Sequence, residues 1–429
     1  MSERIGIVGG GLLGLSCADR LQKLGHAVTV FEAAPHFGGL ASAWKLGEIT
    51  WDRFYHVILL SDGYTHALLK DLDLSSAFVG VETKTGFFTD GRLHSMSNSL
   101  EFLRFPPLGL LGKLRLGLTI HHASRVTDWK ALEKIPVVDW LRKWSGKRTT
   151  EKIWLPLLRA KLGESYRVAS AAFIWATIAR MYAARRSGMK KELFGYIHGG
   201  YGAILEKYTA KLRERGVELV ANAPVRRIVD GPWIELESGE SRRFDRVICT
   251  SAPPLAVQLV PGLTPVERAK LDDLTYQGIV CASVLLKKPL SRFYVTNLTD
   301  DWVPFTAVIE MTALVDPAEF GGRTLVYLPK YVAPNDPLFA EPDESIQERF
   351  LAALERMYPD FRRSDVLAFQ LAKVKHVFAV PTLNYSERVP AMATSVTGVY
   401  LVNSSHIING TLNVNETLQL AEQAVGRIL

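Results

Sequence analysis

The sequence predicts an α/β fold, and three observations support that prediction. First, an apolar segment at residues 5–8 leads into a glycine-rich turn at residues 9–14, where a helical pattern begins. Second, another apolar segment follows and ends at the acidic residue Glu32. Third, a strand-like segment, a polar turn and a helical pattern end the chain at residues 398–429. Strands that alternate with helices favour a parallel sheet covered by helices.

The turn at residues 9–14 has the spacing of a dinucleotide-binding site. Gly9 lets the chain turn tightly, Gly11 lets the backbone approach a pyrophosphate, and Gly14 lets the helix pack closely on the strand. The amides at the helix start, and the positive end of its dipole, then face the phosphates. Glu32 follows at the distance where a carboxylate can accept hydrogen bonds from a ribose diol. A βαβ turn that binds nothing would not need three glycines and an acid in this register.

A second glycine pair distinguishes between the possible dinucleotides. The pattern of an NAD site would end at Glu32, but this chain continues with five residues and then Gly38-Gly39-Leu40-Ala41-Ser42. This continuation resembles FAD-binding proteins of the amine oxidase, protoporphyrinogen oxidase and phytoene desaturase superfamily. The resemblance implies that the second pair carries backbone along the pyrophosphate toward the flavin ring. Many members have a basic residue soon after the pair, whereas the nearest cation here is Lys45.

The resemblance also implies a domain organisation, in which a Rossmann-like FAD-binding domain of the GR2 type is interleaved with an α+β substrate domain. The FAD-binding domain is expected to comprise residues 1–75, 195–255 and 370–429. The substrate-binding domain is expected to comprise residues 76–194 and 256–369. It would include a helical subdomain, because most of the segment from 100 to 190 has a helical pattern. A simple NAD dehydrogenase normally uses one continuous nucleotide domain, so this interleaving favours FAD.

The resemblance further implies which residues contact the cofactor. The backbone of Val225 would meet the adenine edge, and Ser251 follows a strand that crosses near the adenosine. The C-terminal helix would point its N-terminal end at the flavin carbonyl edge, which stabilises negative charge on a reduced flavin. The expected cofactor-binding residues are Gly9, Gly11, Leu12, Leu13, Gly14, Glu32, Ala33, Gly38, Gly39, Leu40, Ala41, Val225, Ser251, Asn403, Asn413 and Val414. Because the C-terminal turn contains no cysteine, we expect the FAD to be non-covalent.

Two residues are candidates for catalysis. In relatives, the segment that corresponds to residues 52–56 passes beside the flavin ring and often contains a histidine, so His56 is the ring-side candidate. A purely structural histidine is equally compatible with the pattern. Glu310, on a strand-like segment, is the candidate acid or base, and the alternative is a surface glutamate on an edge strand. Arg159 and Lys161 could face substrate, but their pattern is more typical of a solvated helix face.

Composition is that of an ordinary globular protein and excludes several classes of function. The chain has 48% hydrophobic and 22% charged residues and a net charge of +7 without a long basic tail, so nucleic acid is not an expected partner. Cys17, Cys249 and Cys281 are far apart, so we expect neither a disulfide framework nor a metal site. This cysteine usage fits a reducing, cytoplasmic compartment. We expect no spanning helix, because no uncharged apolar run of about 18 residues exists.

The expected partner is a small-molecule substrate, which could be linked to a lipid or a sugar. The leucine-rich, basic segment at residues 102–120 is compatible with a hydrophobic substrate entrance or with peripheral contact with a membrane. A helical lid packed on the core is the more common arrangement for such a segment. The sequence does not fix the oligomeric state.

The leading functional prediction is an FAD-dependent oxidoreductase. A substrate carbon, next to nitrogen or within an allylic chain, would give a hydride to flavin N5. A first alternative is a flavin enzyme without net redox change that resembles UDP-galactopyranose mutase, in which Arg180, Arg185 and Arg186 would clamp a diphosphate. Dependence on flavin reduction without product oxidation would identify that alternative. A second alternative is a non-catalytic flavoprotein, whose flavin absorbance would not respond to any electron donor or acceptor.

Overall fold

The computed structural model describes residues 2–186 and 193–429, and the side chains of Ser99 and of residues 182–186 lie outside this description. The N-terminal elements are β1 (Arg4–Val8), α1 (Leu12–Lys23), β2 (Ala27–Phe31), β3 (Ala43–Leu46), β4 (Ile49–Asp52), β5 (Ile58–Leu59), α2 (Gly63–Asp71), β6 (Phe78–Glu82), β7 (Thr85–Thr89) and β8 (Arg92–Ser95). A helical segment follows, with α3 (Ser99–Arg104), α4 (Leu110–Ala123), α5 (Trp129–Glu133), α6 (Val137–Ser145), α7 (Lys147–Thr149), α8 (Leu155–Leu162) and α9 (Ala171–Arg186).

The second half of the chain supplies strands to both of the large sheets that are described below. Its first elements are β9 (Leu193–Ile197), α10 (Gly200–Glu214), β10 (Glu218–Val220), β11 (Val225–Val229), β12 (Trp233–Leu236), β13 (Ser241–Arg243) and β14 (Arg246–Cys249). The remaining elements are α11 (Pro253–Leu259), α12 (Pro265–Asp272), β15 (Tyr276–Leu286), β16 (Val295–Leu298), β17 (Ala307–Glu310), β18 (Thr324–Val332), α13 (Asp343–Met357), β19 (Val366–Ala379), α14 (Tyr385–Arg388), β20 (Val399–Leu401) and α15 (Val414–Ile428).

One main sheet has five parallel strands in the order β10-β2-β1-β14-β20. The central strand β1 pairs on both sides, so that Ile5 lies opposite Val28 of β2 and Arg246 of β14. Its strands are short apolar runs because both faces are covered, as is usual for parallel sheets. The helices α1, α10 and α15 cover one face through residues such as Leu15 and Tyr208. The other face packs on the β11-β12-β13 sheet and α11.

The other main sheet has seven strands in the order β19-β15-β18-β17-β16-β7-β8 and is antiparallel except between β16 and β7. All eleven residues of β15 are buried, because β18 and β19 pair on its two sides and both faces are covered. One face packs on α13 through Phe350 and Leu354. The other face packs on the helical segment and on β3-β4 through Ile279 and Tyr327.

Three small sheets connect these layers, namely β3-β4, β5-β9-β6 and β11-β12-β13. The strand β9 follows the helical segment, yet it pairs antiparallel with β5 and β6, which precede that segment. The chain that precedes β7 and the chain that follows the helical segment are therefore held together by this small sheet, and the helical segment is part of the insertion between them.

The predicted α/β fold is confirmed, and so is one local prediction. The helical pattern predicted for most of the segment from 100 to 190 corresponds to α3–α9, and the β7-β8 hairpin before it turns at Asp90-Gly91. The domain boundaries stay a prediction. The parallel sheet takes its strands from three separate stretches of chain, whereas β19 runs in the antiparallel sheet as far as Ala379, past the expected boundary at residue 370.

Three further features of the described residues concern the classes of site and partner. None of the helices there has both the length and the apolar character needed to cross a bilayer. Cys17, Cys249 and Cys281 are buried free thiols. Across residues 2–186 and 193–429, no group of three or more His, Cys, Asp or Glu side chains is arranged to hold a metal ion.

Candidate active site

The two glycine turns meet at the carboxyl end of β1. Gly11 and Gly38 form an isolated parallel bridge, and the Gly38 amide donates to the Gly10 carbonyl at 2.8 Å. A Cβ added to Gly39 would lie 3.2 Å from the Gly11 Cα, whereas a Cβ on Gly11 would have no atom nearer than 3.9 Å. A short 3₁₀ turn then runs from Gly39 to the buried Ala41. The backbone of Gly11 therefore borders open space, as the close approach of a pyrophosphate requires.

The other glycines of the first turn shape the start of α1. Gly9 has a φ of +109°, a conformation that L side chains rarely adopt. A Cβ on Gly14 would clash with the Gly9 carbonyl oxygen, so α1 packs directly on the turn. The helix begins after Gly11 without a side-chain cap, which leaves the amides of Leu12 and Leu13 available to an anion.

Glu32 lies where β2 meets the segment that leads to β11. Its carboxylate accepts hydrogen bonds from the amides of Gly10 at 2.7 Å and Ala34 at 2.9 Å. Its carbonyl accepts from the Ala223 amide at 2.9 Å, and this bond brings the half-buried Val225 alongside. A carboxylate has about four lone-pair sites, so Glu32 retains acceptors for a ribose diol.

The carboxyl end of β14 closes the same edge of the sheet. The Thr250 hydroxyl donates to the carbonyls of Val8 at 3.0 Å and Gly9 at 3.3 Å. A Cβ on Gly9 would clash with that hydroxyl, so the two chain segments are in direct contact. Ser251 follows at once. Ligands of open α/β sheets bind at this carboxyl edge, and the fold brings Ser251 and Gly9 together there.

The C-terminal turn is held firmly by side chains from its own residues and from neighbouring elements. The Asn403 Oδ1 accepts from the Ser405 hydroxyl at 2.7 Å and from the Tyr276 hydroxyl at 3.5 Å. The Tyr385 hydroxyl donates to the Ser405 carbonyl at 2.8 Å. The Asn403 Nδ2 is buried without a hydrogen-bond partner. A buried donor left unpaired is costly, so this amide is suited to an acceptor on a bound ligand.

Helix α15 begins at the end of this turn. Asn413 caps it by accepting from the Glu416 amide at 3.0 Å. The Asn415 side chain accepts from the Tyr64 amide at 2.9 Å and thereby ties the helix to α2. The helix is fifteen residues long. Its positive N-terminal end, with the first-turn amide of Val414, therefore borders the turn.

His56 lies between a buried carboxyl group and an aromatic ring. Its Nδ1 is 3.7 Å from the Asp52 Oδ2 and is buried without a hydrogen-bond partner. The Tyr201 amide donates to Asp52 at 2.9 Å and fixes it. Burial raises the pKa of the Asp52 carboxyl group, and the nearby His56 opposes this rise. The centroids of the His56 and Tyr201 rings are 4.9 Å apart, so the imidazole packs against the Tyr201 ring.

Tyr55, Lys161, Tyr331 and Phe378 form what we call the aromatic-lysine cluster. The hydroxyl oxygens of Tyr55 and Tyr331 are 2.6 Å apart. The Lys161 Nζ lies 3.6 Å from the Tyr331 ring centroid, a cation–π contact, and the Phe378 ring stands edge-on to Tyr331. Burial lowers the pKa of Lys161 and raises the pKa of both tyrosines. The phenols therefore stay protonated, while the amine releases its proton more easily.

The aromatic-lysine cluster connects the C-terminal turn with the second glycine turn. The carbonyl of Val377, the residue before Phe378, accepts a hydrogen bond from the Ser404 hydroxyl at 3.4 Å. Leu40 of the second glycine turn and Leu412 of the C-terminal turn pack in the same hydrophobic cluster as Tyr55 and Phe378. Residues of the second glycine turn and of the C-terminal turn thus belong to the same hydrophobic cluster as Tyr55 and Phe378.

Glu310 lies on the opposite face of the antiparallel sheet. It ends β17, which pairs between β16 and β18, and it is 1% exposed. The carboxylate accepts from the Ser291 amide at 2.9 Å, and burial raises its pKa to about 7. Val308, two residues earlier on the same strand face, packs with α13. The structure does not bring Glu310 together with the other predicted site residues.

The predicted cofactor residues follow one path along the carboxyl edge of the parallel sheet. The path begins at Glu32, the exposed Ala33 and Val225, passes the two glycine turns, and ends at the C-terminal turn and the aromatic-lysine cluster. Two observations test whether FAD fits. The backbone at Gly11 is open, and the Asn403 Nδ2 has no partner. A bound dinucleotide would satisfy both features, so the residues fit FAD.

This path runs along the edge of a Rossmann-like parallel sheet in a fold that also contains a large antiparallel sheet. The arrangement is that of a dinucleotide-binding flavoprotein. The family model of flavin-containing amine oxidoreductases matches residues 14–429. The chain therefore belongs to the flavin-containing amine oxidoreductase family. This membership confirms the predicted superfamily, the class of flavin-dependent oxidoreductase and FAD as the cofactor.

Two relatives and one solved structure show the range of this similarity. The chain is 25% identical over 329 residues to a 4,4'-diapophytoene desaturase of Staphylococcus haemolyticus. This match covers 67% of the present chain and 63% of the desaturase, so the chain spans slightly less than two thirds of that relative's length. It is 22% identical over 470 residues to a zeta-carotene desaturase of Synechocystis, with 94% and 92% covered. Wild-type putrescine oxidase bound to putrescine shares the fold, with a TM-score of 0.76, 16% identity and 100% and 99% covered.

Sequence reasoning missed the aromatic-lysine cluster as a unit. Lys161 has a pattern typical of a solvated helix face, and Arg159, its expected companion, is indeed exposed. The partner ring of Lys161 comes from β18, far along the chain. One signal was present: Tyr327 and Tyr331 are four residues apart and therefore lie on the same face of a strand.

Proposed function

We propose that this protein is an FAD-dependent oxidoreductase that oxidises or desaturates a small or amphipathic organic substrate by hydride transfer to flavin N5. When bound, FAD supplies a two-electron acceptor at its ring system. The aromatic-lysine cluster is the observation that carries the proposal, because it lies where the cofactor path meets the antiparallel sheet. Its rings offer an apolar wall and its amine offers a proton acceptor. Loss of a hydride and a proton from neighbouring atoms requires a hydride acceptor, which FAD supplies when bound, and a proton acceptor, and the rings would hold an apolar substrate between the two.

The wall beside the cofactor path favours a substrate with an extended apolar part. Ile279 and Cys281 of β15 and Tyr327 of β18 belong to the same hydrophobic cluster as Tyr331 and Phe378. Burial raises the pKa of the tyrosines and of Cys281, so these groups stay neutral. An apolar chain that replaces water against these rings gains the free energy of hydrophobic burial. The similarity to two carotenoid desaturases points to the same substrate class.

Lys161 and His56 have distinct roles in this proposal. Lys161 takes the substrate proton when its amine is neutral; burial lowers its pKa and so favours that form, and its Nζ lies over the Tyr331 ring. His56 borders the ring end of the cofactor path, where Asp52 and Tyr201 orient it. Glu310, on the other face of the sheet, takes no part in proton transfer.

The proposed setting is the cytoplasm. The three buried free thiols support a reducing compartment. The proposed partner is a small, lipid-linked or otherwise apolar molecule rather than nucleic acid, and peripheral contact with a membrane belongs to the same proposal.

Anaerobic mixing of the purified holoenzyme with an acyclic polyprene, a diamine and a nucleotide sugar tests the reaction. We expect the polyprene to bleach the oxidised flavin absorbance and to be recovered with an additional double bond. If only the diamine bleached the flavin, the substrate would be an amine, and the proposed apolar substrate class would be wrong. A flavin that responds to no donor or acceptor would overturn the proposal in favour of a non-catalytic flavoprotein.

The alternative without net redox change requires arginines that are free to clamp a diphosphate. The Arg180 guanidinium is already paired with Asp62 at 3.1 Å. The side chains of Arg185 and Arg186 lie outside the described residues. Conversion of a nucleotide sugar by prereduced enzyme alone, with no oxidised product, would establish this alternative and contradict hydride transfer from substrate.

A further inference from the structure

The helical segment exposes a surface of leucines. Six leucines of α3 and α4, which we call the leucine face, are each more than half exposed to solvent, namely Leu100, Leu103, Leu110, Leu111, Leu114 and Leu118. The two helices are joined, because the Lys113 Nζ donates to the Leu103 carbonyl at 2.6 Å. The inner side of α4 packs Leu116 and Ala123 against the core. The helix is thus apolar on both sides, whereas a helix at a water-exposed surface normally turns polar residues outward.

Positive charge is concentrated in the same part of the chain. Residues 100–150 contain ten Lys and Arg but four Asp and Glu, a surplus of six positive charges in a chain whose net charge is +7. Arg104 and Arg115 are exposed beside the leucine face. Glu101 is the only acid between residues 99 and 123, and its carboxylate accepts from the Ser95 hydroxyl at 2.6 Å. Arg104 and Arg115 therefore put positive charge beside the leucine face, in a segment that has a surplus of positive charge.

We propose that the leucine face docks on the surface of an anionic lipid bilayer. Leucines that enter the boundary between headgroups and acyl chains leave water, and nearby Lys and Arg side chains are attracted to anionic headgroups. A second copy of this chain is a poorer occupant of the face. A two-fold interface brings the same patch of both copies together, and it would therefore place two electropositive surfaces against each other.

Docking at this face would place a bilayer against the helical segment, which covers one face of the antiparallel sheet. Phe105 and Leu108, in the connection between α3 and α4, are buried in the hydrophobic cluster that also contains Tyr327 and Tyr331. The docking therefore rests on the peripheral membrane contact included in the proposed function and names its surface, but it does not depend on the proposed reaction.

Sedimentation of the holoenzyme with lipid vesicles tests the docking. We expect it to bind vesicles of phosphatidylcholine with phosphatidylglycerol, to bind pure phosphatidylcholine more weakly, and to lose affinity as salt rises. The triple variant Leu111→Gln, Leu114→Gln, Leu118→Gln should bind about tenfold or more weakly because apolar contact is lost. Its FAD content and melting temperature should match those of the native protein.

Two further variants separate the leucine face from general surface effects. A matched triple variant, Leu24→Gln, Leu255→Gln, Leu367→Gln, changes leucines that are 61%, 48% and 43% exposed elsewhere on the molecule. It should bind vesicles as the native protein does. The variant Arg104→Gln, Arg115→Gln should bind anionic vesicles about fivefold or more weakly, with little change on neutral vesicles.

Three results would overturn the docking. They are absence of binding to anionic vesicles, an equal loss of binding in the two triple variants, and a native dimer without vesicle binding that the first triple variant converts to monomer. Vesicle binding is measured without turnover, so its failure leaves the proposed reaction standing. A flavin that no substrate bleaches would, in turn, leave the docking standing.

Discussion

The glycine turns lie in the middle of the proposed cofactor path and the aromatic-lysine cluster lies at one end of it, and the two act through different parts of the chain. The turns act through backbone, since Gly11 borders open space and Gly14 permits close packing. The cluster acts through side chains, which come from four separate segments. Cofactor binding and substrate oxidation should therefore respond to different substitutions, although we propose that both sites contact the same molecule of FAD.

The largest effects are expected within the first glycine turn. Gly14→Ala places a methyl group against the Gly9 carbonyl oxygen, so the free energy of unfolding should fall by about 3 kcal/mol. Gly11→Ala has room in the protein, but its methyl group occupies the space next to the pyrophosphate. We expect nearly native unfolding with an FAD affinity about tenfold or more lower. Denaturant unfolding and FAD titration measure the two quantities.

A matched glycine in α15 provides the control for both variants. A Cβ added to Gly426 meets no atom within 4 Å, so Gly426→Ala should stabilise the helix by about 0.5–1 kcal/mol and leave FAD affinity native. Native FAD affinity in Gly11→Ala would contradict the role of the open backbone at that position.

The next largest effect is expected at Lys161. Lys161→Met should lower kcat by about a hundredfold or more, since the proton acceptor is lost, while FAD content stays native. Because burial lowers the pKa of Lys161, the native kcat should rise with pH as the amine loses its proton, and the variant should lack this rise. Lys207→Met, at an exposed position of α10, should keep the native kcat and pH profile. A native pH profile in Lys161→Met would exclude the amine as the titrating group.

A smaller effect on kcat is expected for Glu310→Gln than for Lys161→Met, and this variant tests whether Glu310 belongs to the catalytic site. Burial raises its pKa from 4.5 to about 7, so the folded protein binds this proton more tightly than the unfolded chain. Its contribution to stability is present in full below about pH 4.5 and is lost as pH rises through about 7, at most ~2–3 kcal/mol. Glu310→Gln should flatten this pH dependence of unfolding and keep kcat within about twofold of native. A kcat loss as large as that of Lys161→Met would place Glu310 in the catalytic site.

The smallest effect is expected for the hydroxyl pair of Tyr55 and Tyr331. Either Tyr55→Phe or Tyr331→Phe removes one hydrogen bond and keeps the ring, which should lower the free energy of unfolding by about 1 kcal/mol. Since the two hydroxyls share one bond, the double variant should cost no more than either single variant does. Fully additive losses in this cycle would show that the hydroxyls act independently.

The nucleotide end of the path could be predicted from sequence because its determinants are local. Three glycines, the strand before them and Glu32 lie within one βαβ unit, so their spacing alone indicates how backbone approaches a phosphate. The cap of α15 was predictable for the same reason, since Asn413 accepts a hydrogen bond from an amide of the helix that directly follows it.

The substrate end could not be predicted in the same way. Whether Glu310 faces the cofactor depends on which face of β17 is covered by α13, and a strand has no local signal that chooses between two covered faces. Lys161 lies in an apolar helix whose neighbouring strand is remote in sequence. The leucine pattern of α4 indicates a helix with apolar residues, but only tertiary packing shows that Leu114 and Leu118 point away from the core.

The most direct test compares the FAD stoichiometry of two purified variants, Gly11→Ala and Lys161→Met, by their visible absorbance at equal protein concentration. We predict that Gly11→Ala is largely colourless and Lys161→Met carries FAD at the native ratio. A native ratio in Gly11→Ala, or an equal loss of FAD in Lys161→Met, would contradict the division between a backbone site for the cofactor and a side-chain site for the substrate.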